Sequence, residues 1–188
     1  MKKAVIFIAD GSEEIETLTP VDYLRRAGID VTLVAVGESR SVVCSRKVGV
    51  VADMTLAEYL KSGENPDAVV VPGGMPGTKN IAENSAAVDF VKKMDENGKL
   101  VCAICAAPAL VLPKTSALAG KKWTCYPSME EAVPDFRENH VSGKAFVHSE
   151  NLITGRGPGA AEEFSMEIVK TLAGPDVAAK VKADSVQR

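Results

Sequence analysis

The stretch KLVCAICAAPALVL, residues 99–112, decides how this chain is read. Its first part, Leu100–Ile104, is a short apolar run suited to a buried strand, and it passes without any turn spacer into the helix formers of residues 106–112. A strand that becomes a helix within one residue must turn sharply there. The corner residue is Cys105, and its neighbours two before and two after, Ala103 and Ala107, are small. This is the logic of the G-x-S-x-G nucleophile elbow, with alanine for glycine and cysteine for serine. Such a corner holds its residue in strained backbone geometry and pushes the side chain out at the end of the sheet. The following helix aims its N-terminal amides at the sulfur, which favours thiolate. Cys105 is therefore the candidate nucleophile, and Cys102, inside the strand, is a core residue.

Composition bounds the rest. With 188 residues the chain fits one domain and buries a substantial core without staples. A net charge of -3 excludes a dedicated nucleic-acid or membrane-surface binder. No apolar run reaches the roughly 18 residues that a membrane span needs, and the opening MKKAVIFIADGSEE turns acidic too soon for a signal peptide. The expected location is the cytoplasm. The four cysteines, Cys44, Cys102, Cys105 and Cys125, make no zinc-type double C-x-x-C, and a domain of this size does not require disulfides. Cys102 and Cys105 spell one C-x-x-C, but a redox dithiol has its first cysteine opening a helix, whereas here it sits within a strand. No His/Cys/carboxylate set has metal-ligand spacing, so neither a metal nor a cofactor is expected.

Taken in order, residues 3–9 (KAVIFIA) form a buried parallel strand ending in the turn Asp10-Gly11-Ser12. A helix over about 14–27 follows, with Ile15, Leu18, Val21 and Leu24 on its buried face, a kink at Pro20 and a stop at Gly28. Residues 30–36 form a second strand, 41–52 a hairpin around Ser45-Arg46-Lys47, 55–61 a short helix and Ala68–Val71 another buried strand. That strand runs into Pro72-Gly73-Gly74-Met75-Pro76-Gly77. Ser85 caps a helix reaching Asn97, with Gly98 at its end. Short strands are expected at 123–125, 145–148 and 151–154, then the tight loop Gly155-Arg156-Gly157-Pro158-Gly159 and helices over 160–172 and 176–183. Buried strands alternating with helices predict one three-layer α/β domain with a mainly parallel sheet.

Ligands of such sheets sit beyond the carboxyl ends of the strands. That rule gathers Glu13, Glu14 and Glu16, then Gly73 and Gly74, then Cys105, then Arg156. The amides of Gly73 and Gly74, or of Gly74 and Ala106, supply an oxyanion hole, because glycine lets backbone N–H groups approach a ligand closely. The two histidines, His140 and His148, are both remote in sequence from Cys105. A buried glutamate is the alternative proton partner, since burial beside a thiolate raises its pKa. Two of the three glutamates are read instead as a solvated first helical turn.

Five stretches now carry a resemblance: residues 9–16 (ADGSEEIE), 44–46 (CSR), 71–74 (VPGG), 103–108 (AICAAP) and 155–159 (GRGPG). In this order and spacing they resemble the ThiJ/PfpI superfamily, in the branch of the parkinsonism-associated deglycase. The resemblance implies a flavodoxin-like α/β sandwich, a homodimer, and an oxidisable nucleophile at Cys105 with a protonated partner at Glu16. It implies backbone donors at Gly73, Gly74 and Ala106, arginines lining the pocket entrance at Arg46 and Arg156, and a cysteine near the dimer contact at Cys44. The implied activity is a glutathione-independent glyoxalase (lyase) or a deglycase (hydrolase). Its partners would be a small reactive carbonyl or a glycated protein or nucleotide. The implied alternatives are an oxidative-stress sensor or chaperone working through a Cys105 sulfinate, and less directly an amidase or peptidase. One departure is visible: where relatives often carry histidine near the cysteine, this chain has Tyr126, which donates a hydrogen bond but is no base at neutral pH.

Overall fold

Strand β1 (Lys3–Ile8) shows why the sheet is buried on both sides. Successive side chains point to opposite faces, and both sets are apolar: Val5 and Phe7 enter one core, Ala4, Ile6 and Ile8 the other. In the computed structural model, which describes residues 1–187, β1 leads through α1 (Glu14–Arg26) to β2 (Asp30–Ala35), the hairpin strands β3 (Ser41–Val43) and β4 (Gly49–Val51), and β5 (Met54–Thr55). Then come α2 (Leu56–Ser62), β6 (Ala68–Val71), α3 (Gly77–Glu83), α4 (Ser85–Glu96), β7 (Leu100–Ile104) and α5 (Ala107–Leu110). After 3-10 turns at Leu112–Lys114, Met129–Ala132 and Pro134–Asn139, the chain closes with β8 (Phe146–Ser149), β9 (Leu152–Gly155), α6 (Ala161–Ala173) and α7 (Pro175–Asp184).

Among the described residues the main sheet runs β5-β2-β1-β6-β7-β9-β8. Its neighbours pair in parallel except β8 with β9. One face is packed by residues of α2 to α5 together with Trp123, the other by α1, α6 and α7. This is the predicted three-layer α/β fold with a mainly parallel sheet. The 41–52 segment is the expected hairpin, lying outside that sheet. It is fastened over the N-terminus of α1 by Val43 N–H to Asp10 (2.8 Å) and Ser45 N–H to the Ser12 carbonyl (2.8 Å).

Several local expectations are corrected. On α1, Val21 and Leu24 are buried, but Ile15 and Leu18 are 53% and 37% exposed. The first turn instead directs Glu14, Glu16 and Thr17 inward, because polar partners await them there. Pro20 lies within α1, and the helix continues through it to Arg26. Asn84, not Ser85, caps α4, its side chain accepting from Ala87 N–H at 3.1 Å. Helix α3 has no counterpart in the expectation, since its glycine start and lack of a side-chain cap hide it. Residues 123–125 form no strand: Trp123 makes one isolated bridge with His140.

Phe164 of α6 is fully buried against the sheet, where a Cβ on Gly155 would come within 3.0 Å of its ring. Phe164→Ala is expected to lower unfolding free energy by about 3–5 kcal/mol, read from denaturant midpoints. A loss below about 1 kcal/mol would show that this layer is not close-packed.

Candidate active site

Three chain reversals at the carboxyl end of the sheet build the site. At the end of β7, Cys105 adopts φ 63°, the left-handed region that costs a residue with a Cβ. That is the strained corner predicted from the sequence. Its N–H donates to the Gly155 carbonyl (2.9 Å) and its carbonyl accepts from Tyr126 N–H (2.8 Å). Strand β9 and the 126 loop thereby hold the corner in place. At the end of β6, Gly73 and Gly74 pass beside it. A Cβ on Gly73 would lie 2.5 Å from both Cys105 Cβ and Glu16 Oε2, and Gly74 has φ +88° and would clash with the Glu13 amide nitrogen. Only glycine lets this loop pass so close.

Glu16, in the first turn of α1, is fully buried. Its Oε2 accepts the Gly73 N–H at 2.9 Å, and its Oε1 is buried without a hydrogen-bond partner among the described residues. Burial pushes the carboxyl up to about 7, against the pull of the Cys105 thiol and the Gly73 amide, with the Glu13 charge adding to the rise.

Cys105 corrects the expectation of a thiol lowered by the helix alone. Burial, followed by the charge of Glu16 and the thiol's hydrogen bond to it, pushes the thiol up to about 12, while the Gly74 and Ala106 amides oppose this. Helix α5 has only four residues, too short to carry much dipole. Protonating Glu16 removes the repelling charge, while burial still opposes the thiolate and the two amides favour it. The charge on each group depends on that of the other, so the two titrate as one coupled pair. The amides facing the sulfur are those of Gly74 and Ala106; that of Gly73 is committed to Glu16, which makes Gly73 a positioning residue.

The other glutamates are not a solvated helical turn. Glu13 caps α1, accepting from Glu16 N–H at 2.8 Å. Glu14 accepts from Ser45 Oγ (3.0 Å) and Arg46 N–H (2.5 Å). Burial works against its ionisation, but these bonds and the amides of Glu14 and Val48 hold its carboxyl below the usual range. Glu14 thus latches the hairpin and sets Arg46 at the rim.

A cavity of about 560 Å³ opens over Cys105, lined also by Glu13, Arg46, Gly74, Tyr126 and Met129. Arg156 lines a neighbouring cleft of about 480 Å³ that shares Tyr126 and Pro158 with it. The two arginines expected at one entrance thus face two adjoining hollows, with Tyr126 between. Neither histidine pairs with Cys105: His148 Nδ1 lies 2.8 Å from Glu167, and His140 Nε2 lies 3.8 Å from Cys125 Sγ. With Glu130, the latter pair forms a Cys/Glu/His group. The expectation of no such cluster is corrected, because its members lie 5 and 10 residues apart and converge only in the fold.

With this geometry in view, comparison with known proteins is decisive. The model of the DJ-1/PfpI family matches residues 2–171. The chain belongs to this family. It is 40% identical to protein dj-1beta of Drosophila melanogaster over 175 residues, 93% of this chain and 91% of the fly protein. It is 30% identical to the glutathione-independent glyoxalase DJR-1.2 of Caenorhabditis elegans over 176 residues, again 93% and 91%. Among solved structures, oxidised Toxoplasma gondii DJ-1 superposes with TM-score 0.92 at 32% identity, covering 100% of this chain and 99% of that one. The flavodoxin-like DJ-1/PfpI fold read from the sequence is therefore the fold of this chain. Among the described residues no helix is long and apolar enough to cross a membrane.

The buried carboxyl gives a pH signature. Its folded pKa of about 7 exceeds the ordinary 4.5, so its contribution to stability is full below pH 4.5 and is lost as pH rises to about 7. Relative to Glu16→Gln, the wild type is expected to lose about 3 kcal/mol of stability across that window. Parallel stability curves for the two proteins would show that the carboxyl is not held protonated.

Proposed function

We propose that the chain is a glutathione-independent glyoxalase that needs no cofactor and acts on methylglyoxal-type dicarbonyls. Deglycation of early adducts is the same chemistry, on an aldehyde carbon still carrying an amine. The observation that carries the reading is the pairing of Cys105 with the buried Glu16, whose carboxyl burial pushes up to about 7, at an open cavity. The name of the nematode relative supports it.

In this reading Cys105 Sγ adds to the aldehyde carbon. Glu16 protonates the new oxygen, which the Gly74 and Ala106 amides hold, and becomes a carboxylate. Glu16 then takes the proton from that carbon and returns it to the adjacent carbon, while a second proton passes between the two oxygens. The enediol becomes a thioester on Cys105. Water adds to the thioester, the thiolate leaves, and the 2-hydroxy acid departs, with one proton returning to Glu16 and one to solvent. Arg46 at the cavity rim favours the anionic product, and Tyr126 offers a hydrogen-bond donor from the wall. Arg156 serves larger, anion-bearing adducts from the adjoining cleft.

A second reading uses the same pair as an oxidation sensor. Two equivalents of peroxide, each reduced to water, convert the thiolate to a sulfinate whose oxygens take the same donors. The solved relative described as oxidised supports it, as does the fact that Cys105 lines the cavity while Cys102 is wholly enclosed.

We also infer a homodimer. Ile15 and Leu18 on α1 and Val43, Val48 and Val51 on the hairpin are exposed apolar side chains on segments fastened to each other. A second copy would cover them. Light scattering is expected to give twice the 19.8 kDa chain mass, and Leu18→Glu to shift it toward one chain. A monomeric wild type would sink this reading.

The activity is tested by lactate formation from methylglyoxal without glutathione. Cys105→Ser is expected to abolish turnover, and Glu16→Gln to reduce it by about 10²–10⁴-fold with the thiol still titratable. No turnover by fully reduced wild type would leave the sensor reading.

A further inference from the structure

We propose that Cys125, Glu130 and His140 form a binding site for a soft divalent cation of zinc type, separate from the catalytic pair, with a fourth position open to water. Cys125 Sγ lies 3.9 Å from Glu130 Oε2 and 3.8 Å from His140 Nε2. One ligand atom from each of the three lies within 4.8 Å of the others. Around a tetrahedral zinc, bonds of about 2.3 Å to sulfur and about 2.0–2.1 Å to nitrogen or oxygen set the ligand atoms about 3.3–3.6 Å apart. Both sulfur distances need to close by only a few tenths of an ångström.

The surroundings suit a ligand group better than a packed cysteine. A thiol has a single weak proton to give, and Cys125 Sγ faces the Tyr126 carbonyl at 3.3 Å as well as Glu130 and His140. Glu130 has no ion pair or other side-chain hydrogen bond among the described residues, so a cation would neutralise a carboxylate that now sits beside sulfur. The imidazole is already aimed. Its ring stands edge-on to Trp123 with centroids 5.0 Å apart, and Trp123 bonds to the backbone on either side of it, from its N–H to Asn139 O (3.2 Å) and from Val141 N–H to its carbonyl (2.8 Å). Such outer contacts fix ligand orientation. Cys125 is buried while Glu130 and His140 are partly exposed, which leaves an entry side and room for water. Thiolate and imidazole select zinc-like ions over magnesium or calcium.

A Cys-His nucleophile pair is the rival use of these residues. In that arrangement the carboxylate orients the imidazole, whereas here it lies against the sulfur. Metal binding breaks the Cys125 S–H bond, forms the metal–sulfur bond and releases one proton to solvent. The ion would tie the 3-10 turn bearing Glu130 to Cys125, whose neighbour Tyr126 bonds to the Cys105 carbonyl. Loading therefore braces one wall of the catalytic cavity.

The test uses the full reduced chain and two probes, Co²⁺ for absorption and Zn²⁺ for calorimetry. Wild type is expected to bind one ion, with a thiolate-to-cobalt charge-transfer band and the visible intensity of a four-coordinate site. Cys105→Ser should keep that signal, Cys125→Ser should lose it, and the surface variant Glu130→Gln should bind at least tenfold more weakly, with unchanged circular dichroism. No band in the wild type, a band that survives Cys125→Ser, or one lost in Cys105→Ser would overturn the proposal. The last outcome would place the ion on the catalytic pair.

Discussion

A single hydrogen bond, from the Gly73 amide at the end of β6 to the Glu16 carboxyl at the start of α1, is the contact around which this end of the molecule is arranged. It joins the two loops that flank Cys105. A buried carboxyl without such a donor costs several kcal/mol, and here one oxygen is satisfied while the other is left bare. Burial disfavours the charged form more than the Cys105 thiol and the Gly73 amide favour it, and so drives the pKa up to about 7. The same arrangement forbids side chains nearby: a Cβ at Gly73 would strike both Glu16 and Cys105, and one at Gly77 would run into the Ser12 backbone. Gly73 is thus required by the carboxyl's position, and Gly77 by the close pass of the turn before α1.

How much of this was legible in the chain follows from the range over which each signal acts. The elbow at Cys105 is local, a strand meeting a helix with alanines on either side, and its positive φ follows directly from that sequence. The fold class is local too, because strands buried on both faces read as continuous apolar runs. The inward turn of Glu14 and Glu16 was not legible from periodicity. Helical spacing marks Ile15 and Leu18 as the apolar side of α1, and the structure exposes both. What reverses the choice is long-range: the Gly73 amide is 57 residues away, and the Ser45–Arg46 donors to Glu14 lie 31 and 32 residues along. A hydrophobic pattern has no means of recording a polar partner elsewhere in the chain.

The same limit applies to the assignment of amides. The sequence left two donor pairs open, Gly73 with Gly74 or Gly74 with Ala106, and the structure turns the second toward the sulfur. The Gly73 N–H holds the Glu16 carboxyl, and the Gly74 N–H faces the sulfur. Helix α5 is too short to supply a large field, so the stabilisation of negative charge on sulfur rests on two individual amides and on the protonation state of Glu16. Glu16 and Cys105 are in this sense one titrating unit, and either chemistry proposed for Cys105, addition to an aldehyde or oxidation, would draw on that coupling.

The segment from Cys125 to His140 then has a physical reason to be irregular. It carries no main-sheet strand, only 3-10 turns and the isolated Trp123–His140 bridge, yet it supplies Tyr126 and Met129 to the cavity. Two anchors hold it. One is the fully buried Trp123, whose indole N–H donates to the Phe136 carbonyl at 2.9 Å. The other is the Tyr126 N–H to the Cys105 carbonyl, a bond that ends on the strained residue itself. Cys125 is thus joined to Cys105 through the adjacent Tyr126 and one backbone hydrogen bond, the path by which the proposed ion would act on the cavity. The bond from Thr124 N–H to Thr154 Oγ1 (2.9 Å) fixes the other side of Cys125 to β9, so the residue is held from both neighbours without a strand ladder.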